Sequence, residues 1–147
     1  MINETKSAIY SAFLASSATF PTSIAIVSET EMVSYEELTK EVDFCAVKLA
    51  RFGVKPGDAV GVLLEKSARY LTVYLAVCKL NAIFVPLDPQ APTERTRYMV
   101  EDTGLVLLVT DEVKQYAELF SVSCTNLFDD FYLFDFNVNY KNYVVDC

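Results

Sequence analysis

The sequence predicts an α/β fold, a three-layer arrangement in which a mostly parallel sheet is flanked by helices. Short runs rich in β-branched and aliphatic residues, at 23–28, 59–64, 82–85 and 105–110, alternate with longer stretches whose apolar residues recur every three or four positions. Pro and Gly punctuate the joints, at Pro21, Gly53, Pro56-Gly57 and Gly104. With 147 residues, 52% of them apolar and 22% charged, the chain has enough apolar side chains for one core. Strand, helix, strand in succession implies parallel pairing through a right-handed crossover.

The elements follow in order. The run 8–18 places Ile9, Phe13 and Leu14 on one helical face, and Pro21 ends that helix. A small and apolar run after Lys6 is also loosely like a signal peptide, but Glu4 precedes it and Ser and Tyr interrupt it, so a first helix is the expectation. Residues 23–28 read as a short strand of the parallel sheet. Ser34 stands three residues before Glu37, the spacing of a capping box that satisfies orphan amides at a helix start. From there Leu38, Val42, Cys45, Ala46, Leu49 and Phe52 form one stripe, with Lys40, Glu41, Lys48 and Arg51 off it and Gly53 as the stop.

Pro56-Gly57 makes a turn into the strand 59–64. Ser67 caps a helix reaching Leu80, with Leu71, Tyr74, Leu75 and Cys78 inward, and 82–85 is the next strand. A helix begun near Pro92 turns Met99 and Val100 inward and ends at Gly104. The strand 105–110 and a helix from Asp111 toward Phe120 complete the pattern. Past Ser121 the signals fade: residues 128–147 mix seven aromatics with four aspartates and contain no Gly or Pro, which suits one or two strands or an ill-packed tail.

Composition excludes several functions. The net charge is −8, and no Lys/Arg cluster exists for a phosphate backbone, so nucleic acid is not an expected partner. Residues 1–98 hold 10 basic and 11 acidic side chains, whereas 99–147 hold 2 and 9, which marks the last third as a different kind of sequence. Cys45, Cys78, Cys124 and Cys147 form no C-x-x-C pair and the chain has no His, so no metal site is expected. Reduced thiols on apolar faces suit a cytoplasmic setting. No stretch is long and apolar enough to span a bilayer, so no membrane role is expected.

The segment Lys79-Leu80-Asn81-Ala82-Ile83-Phe84-Val85-Pro86-Leu87-Asp88-Pro89, with Pro92, Glu94 and Arg95 after it, resembles the K-A-G-A-A-Y-V-P-L-D-P and P-x-E-R motifs of adenylate-forming enzymes, most closely nonribosomal peptide synthetase adenylation domains. Leu80 and Asn81 depart from the pattern, and Asn81 is the next best residue after Gly where a helix ends left-handed. Val33-Ser34-Tyr35-Glu36-Glu37-Leu38 resembles the family's L-T-Y-x-E-L, in the family's order, and Pro21 to Ile26 resembles its opening strand. The resemblance covers roughly residues 21–111. It implies the N-terminal portion of the adenylate-forming fold, with residues 1–147 a partial adenylation domain and 121–147 a divergent acidic-aromatic tail.

The family activates a carboxylate with ATP and Mg to an acyl-adenylate and passes the acyl group to a thiol. Its phosphate loop, S-G-T-T-G-x-P-K-G, is not encoded, since no Gly follows Gly104, and Lys141 sits in no catalytic-lysine motif. The expectation is therefore no catalytic, substrate-binding or metal residue in these 147 residues and no cofactor bound by them. The expected partners are a complementary adenylation-domain fragment or another synthetase component. A standalone interaction module is the alternative, and self-association is a further expectation.

Other residues weigh toward structure. Gly53, Gly57 and Gly61 recur every fourth position without the Lys-Ser or Lys-Thr of a P-loop, and read as a helix stop, a turn and a strand glycine. Asp58 and Asp88 stand in turn contexts where Asp binds backbone. Lys79, in a helix's last turn, offsets the helix dipole. Arg95 beside Glu94 is structural, and no Ser or Cys has a base to activate it.

Overall fold

The strand 59–63 is inaccessible along its whole length, and that burial fixes the centre of the sheet. A computed structural model describes residues 7–128 and the strand segments Tyr132–Phe134 and Tyr143–Val144. It divides into two units, Met1–Pro56 with Lys66–Ala82, and Gly57–Glu65 with Ile83–Cys147.

The first unit is helical: α1 (Ala8–Thr19), a hairpin of β1 (Ile24–Val27) and β2 (Met32–Ser34), α2 (Tyr35–Arg51) and α3 (Ala68–Lys79). The strand 24–27 is not part of the parallel sheet, contrary to the pattern reading. It pairs antiparallel with β2, because Ser28 N donates to Glu31 O at 2.9 Å and the Ser28 hydroxyl accepts from Glu31 N at 3.1 Å, closing a tight reversal.

The capping box at α2 is present: Glu37 N donates to Ser34 Oγ at 3.1 Å and Ser34 N to Glu37 Oε1 at 3.0 Å. Such a cap stabilises a helix by about 0.5–2 kcal/mol. Leu38, Val42, Cys45, Ala46 and Leu49 are buried as the stripe requires. Lys48 is buried too, at 3% exposure, where an off-stripe position was expected. Its ammonium lies 4.2 Å from the Phe44 ring centroid, so the long stem packs like an apolar side chain.

In α1 the inward residue is Tyr10 rather than Ile9, which is exposed. Tyr10 and Phe13 form a tilted ring pair at 6.2 Å, Phe13 lies 6.1 Å from Tyr35, and Ser17 shares a 2.6 Å hydrogen bond with Thr39. These contacts to α2 set the rotation of the helix.

Ser67 accepts from Tyr70 N at 3.3 Å and starts α3. Its buried residues are Ala68, Thr72, Val73, Leu75, Ala76 and Val77, while Leu71, Tyr74 and Cys78 are only half-buried. The expected single stripe is absent because this helix is apolar on most faces, and burial follows all of them. Asn81 closes it at φ 58°, the left-handed conformation that the family's glycine would occupy.

The second unit holds β3 (Ala59–Leu63), β4 (Ile83–Pro86), α4 (Thr93–Thr103), β5 (Leu107–Thr110), α5 (Val113–Phe120), β6 (Cys124–Asn126), β7 (Tyr132–Phe134) and β8 (Tyr143–Val144). The sheet order is β4-β3-β5-β6-β7-β8; β4, β3, β5 and β6 run parallel, β7 pairs antiparallel with β6, and β8 antiparallel with β7. The fold is thus α/β with a mainly parallel sheet flanked by helices.

Val100 of α4 and Val113, Ala117 and Phe120 of α5 cover one sheet face, against Ala59, Leu63, Val85, Leu108 and Cys124. On the other face Val60, Val62, Leu107 and Val109 are buried as well. Gly61 leaves room here: a methyl group on it would stand 2.4 Å from Leu105 Cδ1, so the Leu105 side chain would have to shift. Most of the aromatic stretch at 128–147 lies outside the described residues, so only its two short strands can be placed.

Candidate functional site

In the parallel part of the sheet, β3 leads to β4 on one side, while β5 leads to β6 on the other. The carboxyl ends of β3 and β5 therefore flank a topological switch point, the place where open α/β sheets bind ligands. A cavity of about 200 Å³ lies there. Leu63 at the end of β3 with Leu64 and Glu65 after it, and Thr110 at the end of β5 with Asp111 and Glu112 after it, line the cavity together with Pro89 and Tyr116. Glu112 N donates to Thr110 Oγ1 at 3.3 Å, and Asn126 Nδ2 to Asp111 Oδ1 at 3.1 Å.

Glu65, Asp111 and Glu112 put three carboxyl groups in the crevice lining, and the chain leaving β3 is Leu-Glu-Lys-Ser rather than a glycine loop whose amides could cradle a phosphate. The cavity is also smaller than the roughly 300–1,000 Å³ of drug-sized ligand pockets. Among the described residues no group of three or more His, Cys, Asp or Glu is arranged to hold a metal. Nothing in the local pattern marks Glu65, Thr110, Asp111, Glu112 and Tyr116 as neighbours; only the parallel pairing of β3 with β5 brings them together.

The residues singled out from sequence are dispersed. Asp58 precedes β3, at the amino end of the sheet, where its carbonyl accepts from Ile83 N at 2.7 Å. Asp88 lies past the carboxyl end of β4 and caps a turn through Gln90 N at 2.9 Å. The two acids thus occupy opposite ends of the strands.

Lys79 does more than face a helix dipole: it donates to Asp43 Oδ1 at 2.5 Å and lies 5.9 Å from the Tyr10 ring centroid, joining α3 to α2 and α1. The hydrogen bond to Asp43 raises the Lys79 pKa above its ordinary value, burial opposes this, and the Asp43 charge adds to it. Arg95 is exposed, and the partner of Glu94 is Arg97, whose Nη1 donates to it at 2.5 Å while Nη2 reaches Leu119 O at 3.3 Å. Gly53 and Gly57 adopt φ of 97° and 88° in turns, far from any phosphate-binding arrangement.

Burial pushes the Cys45 thiol up to about 12, partly offset by Lys48, and burial alone pushes Cys124 up to about 12. Both stay protonated at neutral pH and are not nucleophiles.

A mainly parallel α/β sheet flanked by helices is an architecture found in part of the N-terminal subdomain of adenylate-forming enzymes. The AMP-binding enzyme family matches residues 13–132. The chain belongs to that family and corresponds to the N-terminal portion of an adenylation domain.

Malpibaldin synthetase of Mortierella alpina is 44% identical over 92 residues, which is 63% of this chain and 2% of the relative. The N-terminal subdomain of NpsA from Klebsiella oxytoca superposes with a TM-score of 0.68 at 25% identity, covering 74% of this chain and 28% of that one. O-succinylbenzoate coenzyme A synthetase (MenE) from Bacillus subtilis, solved in complex with AMP, gives 0.73 at 26% identity, covering 80% and 31%. The chain thus spans a small share of the proteins it matches.

Proposed function

We propose that these 147 residues supply the scaffold of an amino-acid or carboxylate adenylation domain and contain none of the groups that perform the chemistry. The observation that carries this reading is a family match over residues 13–132 in a sequence with no Gly after Gly104, so the glycine-rich phosphate loop is not encoded. AMP-binding enzymes in general use ATP and Mg, and in this reading both are held by parts of the domain that lie outside these residues, as are the catalytic and substrate-binding side chains. Residues 121–147 are a divergent acidic-aromatic tail to that partial domain.

The partner is a complementary adenylation-domain fragment or synthetase component, in a cytoplasm that keeps Cys45, Cys78 and Cys124 reduced. ATP–pyrophosphate exchange tests the proposal on the chain alone and on the chain mixed with the C-terminal remainder of a peptide-synthetase adenylation domain. No exchange is expected from the chain alone with any amino or aryl acid, and exchange on mixing is expected of a scaffold half. Adenylate formation by the pure chain overturns the reading. A mixture that binds tightly but stays inactive favours a standalone interaction module instead.

A further inference from the structure

Within the first unit α1 is held far more lightly than α2 and α3. Of its 12 residues only Tyr10 is buried, whereas α2 and α3 each bury six. Its own sequence adds little support. Ser11, Ser16, Ser17 and Thr19 lower its helix propensity, and it has no acidic residue in its first turn and no basic one in its last to offset the helix dipole. Its neighbour α2 has both, with Glu36 and Glu37 at the start and Lys48 and Arg51 at the end. A helix of about a dozen residues is marginal in water without tertiary contacts.

Those contacts are themselves incomplete. A cavity of about 260 Å³ lies between α1 and its neighbours, lined by Ala12, Phe13 and Ser16 from α1 and by Leu38, Leu71 and Leu75 from α2 and α3. Atoms facing one another across such a gap forgo most of their dispersion attraction. Discrete ties fasten the helix around it: Tyr10 beside the Lys79 ammonium at 5.9 Å, Phe13 against Tyr35 at 6.1 Å, and the 2.6 Å hydrogen bond of Ser17 with Thr39. The chain beyond the helix is pinned separately, since Glu36 N donates to Pro21 O at 2.9 Å and Tyr35 N to Ser23 O at 2.9 Å. Release of α1 breaks neither bond.

We infer that α1 is a strap that opens and recloses as one unit, pivoting at Phe20 and baring Leu38, Leu71 and Leu75 while the β1–β2 hairpin, α2 and α3 keep their structure. Elements that move are drawn from the least stable part of a fold. Strap opening uses none of the adenylation chemistry and stands or falls apart from it.

The test is amide hydrogen exchange, resolved by residue and followed on the full chain at several low urea concentrations. The amides of residues 12–19 share one level of protection, about a hundredfold or more below that of residues 73–77 in α3, and it changes little with urea because opening one helix exposes little surface. Ser17→Ala, which removes the tie to Thr39, speeds exchange in residues 12–19 about fivefold and leaves residues 73–77 within about twofold. Ser16→Leu, which puts an apolar side chain into the cavity, slows the same amides about tenfold.

Three results overturn the proposal. Protection that rises stepwise from residue 12 to residue 19 shows fraying from one end instead of a unit. Equal protection and equal urea dependence in α1 and α3 show that α1 opens only when the whole unit does. If the Tyr35 and Glu36 amides, which report the bonds to Ser23 and Pro21, speed up with α1 in Ser17→Ala, the pivot is not at Phe20 and the hairpin leaves with the helix.

Discussion

Both units bury apolar side chains, but they differ in what supplements that burial. In Met1–Pro56 with Lys66–Ala82, where Val42, Leu49, Val73 and Val77 are fully buried, individual polar ties are added: the Ser34–Glu37 box, the Ser17–Thr39 hydrogen bond, and Lys79 on Asp43. In Gly57–Glu65 with Ile83–Cys147, position comes from strand pairing and apolar contact, with Val60, Val62 and Leu108 fully buried. A polar tie is worth about 1 kcal/mol, whereas emptying a packed apolar site costs several. Damage should therefore be graded by the kind of contact: shallow where ties are cut, deep where a core is opened.

The deepest expected effect is Leu108→Ala. Its side chain is fully buried in the cluster with Val113, Ala117 and Phe120, and the truncation should cost about 2–5 kcal/mol, read as a lower urea midpoint. A loss under about 1 kcal/mol would mean that the sheet core collapses around the gap and that the contrast between polar ties and core packing is false.

Ser34→Ala comes next. It deletes one half of the capping box and should cost about 0.5–2 kcal/mol, with amide exchange accelerated in the first turn of α2 and unchanged in β3. Acceleration in β3 as well would merge the two regions energetically.

The smallest effect concerns pH. The folded-state pKa of Lys79 is raised, so the Asp43 contact contributes fully below the ordinary ammonium value and is lost as pH climbs through the higher folded value. Thermal melts should fall on the alkaline side, above about pH 10.4, and Asp43→Asn should flatten that limb. Its cost at neutral pH is about 1 kcal/mol or less, because the Lys79 and Asp43 side chains are 31% and 51% exposed. An unchanged alkaline limb in Asp43→Asn would show that the pair is incidental.

What could be read in advance was local. Ser34 with Glu37, Asn81 as a left-handed helix end, and the turn at Gly57 each depend on neighbours within a few residues, and each is found as expected. The K-L-N-A-I-F-V-P-L-D-P segment likewise identified the fold, because a motif compresses long-range information that periodicity does not hold.

What escaped depends on distant partners. Whether residues 24–27 join the main sheet is decided by the Ser28–Glu31 reversal, and the burial of Lys48 by what its stem packs against. Tyr10 displaced Ile9 because its ring meets Phe13 and, through Phe13, Tyr35. Cys124-Thr125-Asn126 carries no strand signal of its own and is made a strand by pairing with β5. The crevice was illegible for the same reason, since its walls come from strand ends 47 positions apart, Leu63 and Thr110.

That separation matters while the chain is being made. β3 is complete at Leu63, yet its second neighbour begins only at Leu107. At roughly 5–20 residues per second, a ribosome takes about 2–9 s to supply it. For those seconds a strand that is buried along its whole length in the fold leaves the exit tunnel with one flank unserved, a span far longer than the microseconds of hydrophobic collapse. The nascent chain should therefore be a client of ribosome-associated chaperones, and its yield should track the speed of translation between codons 64 and 107.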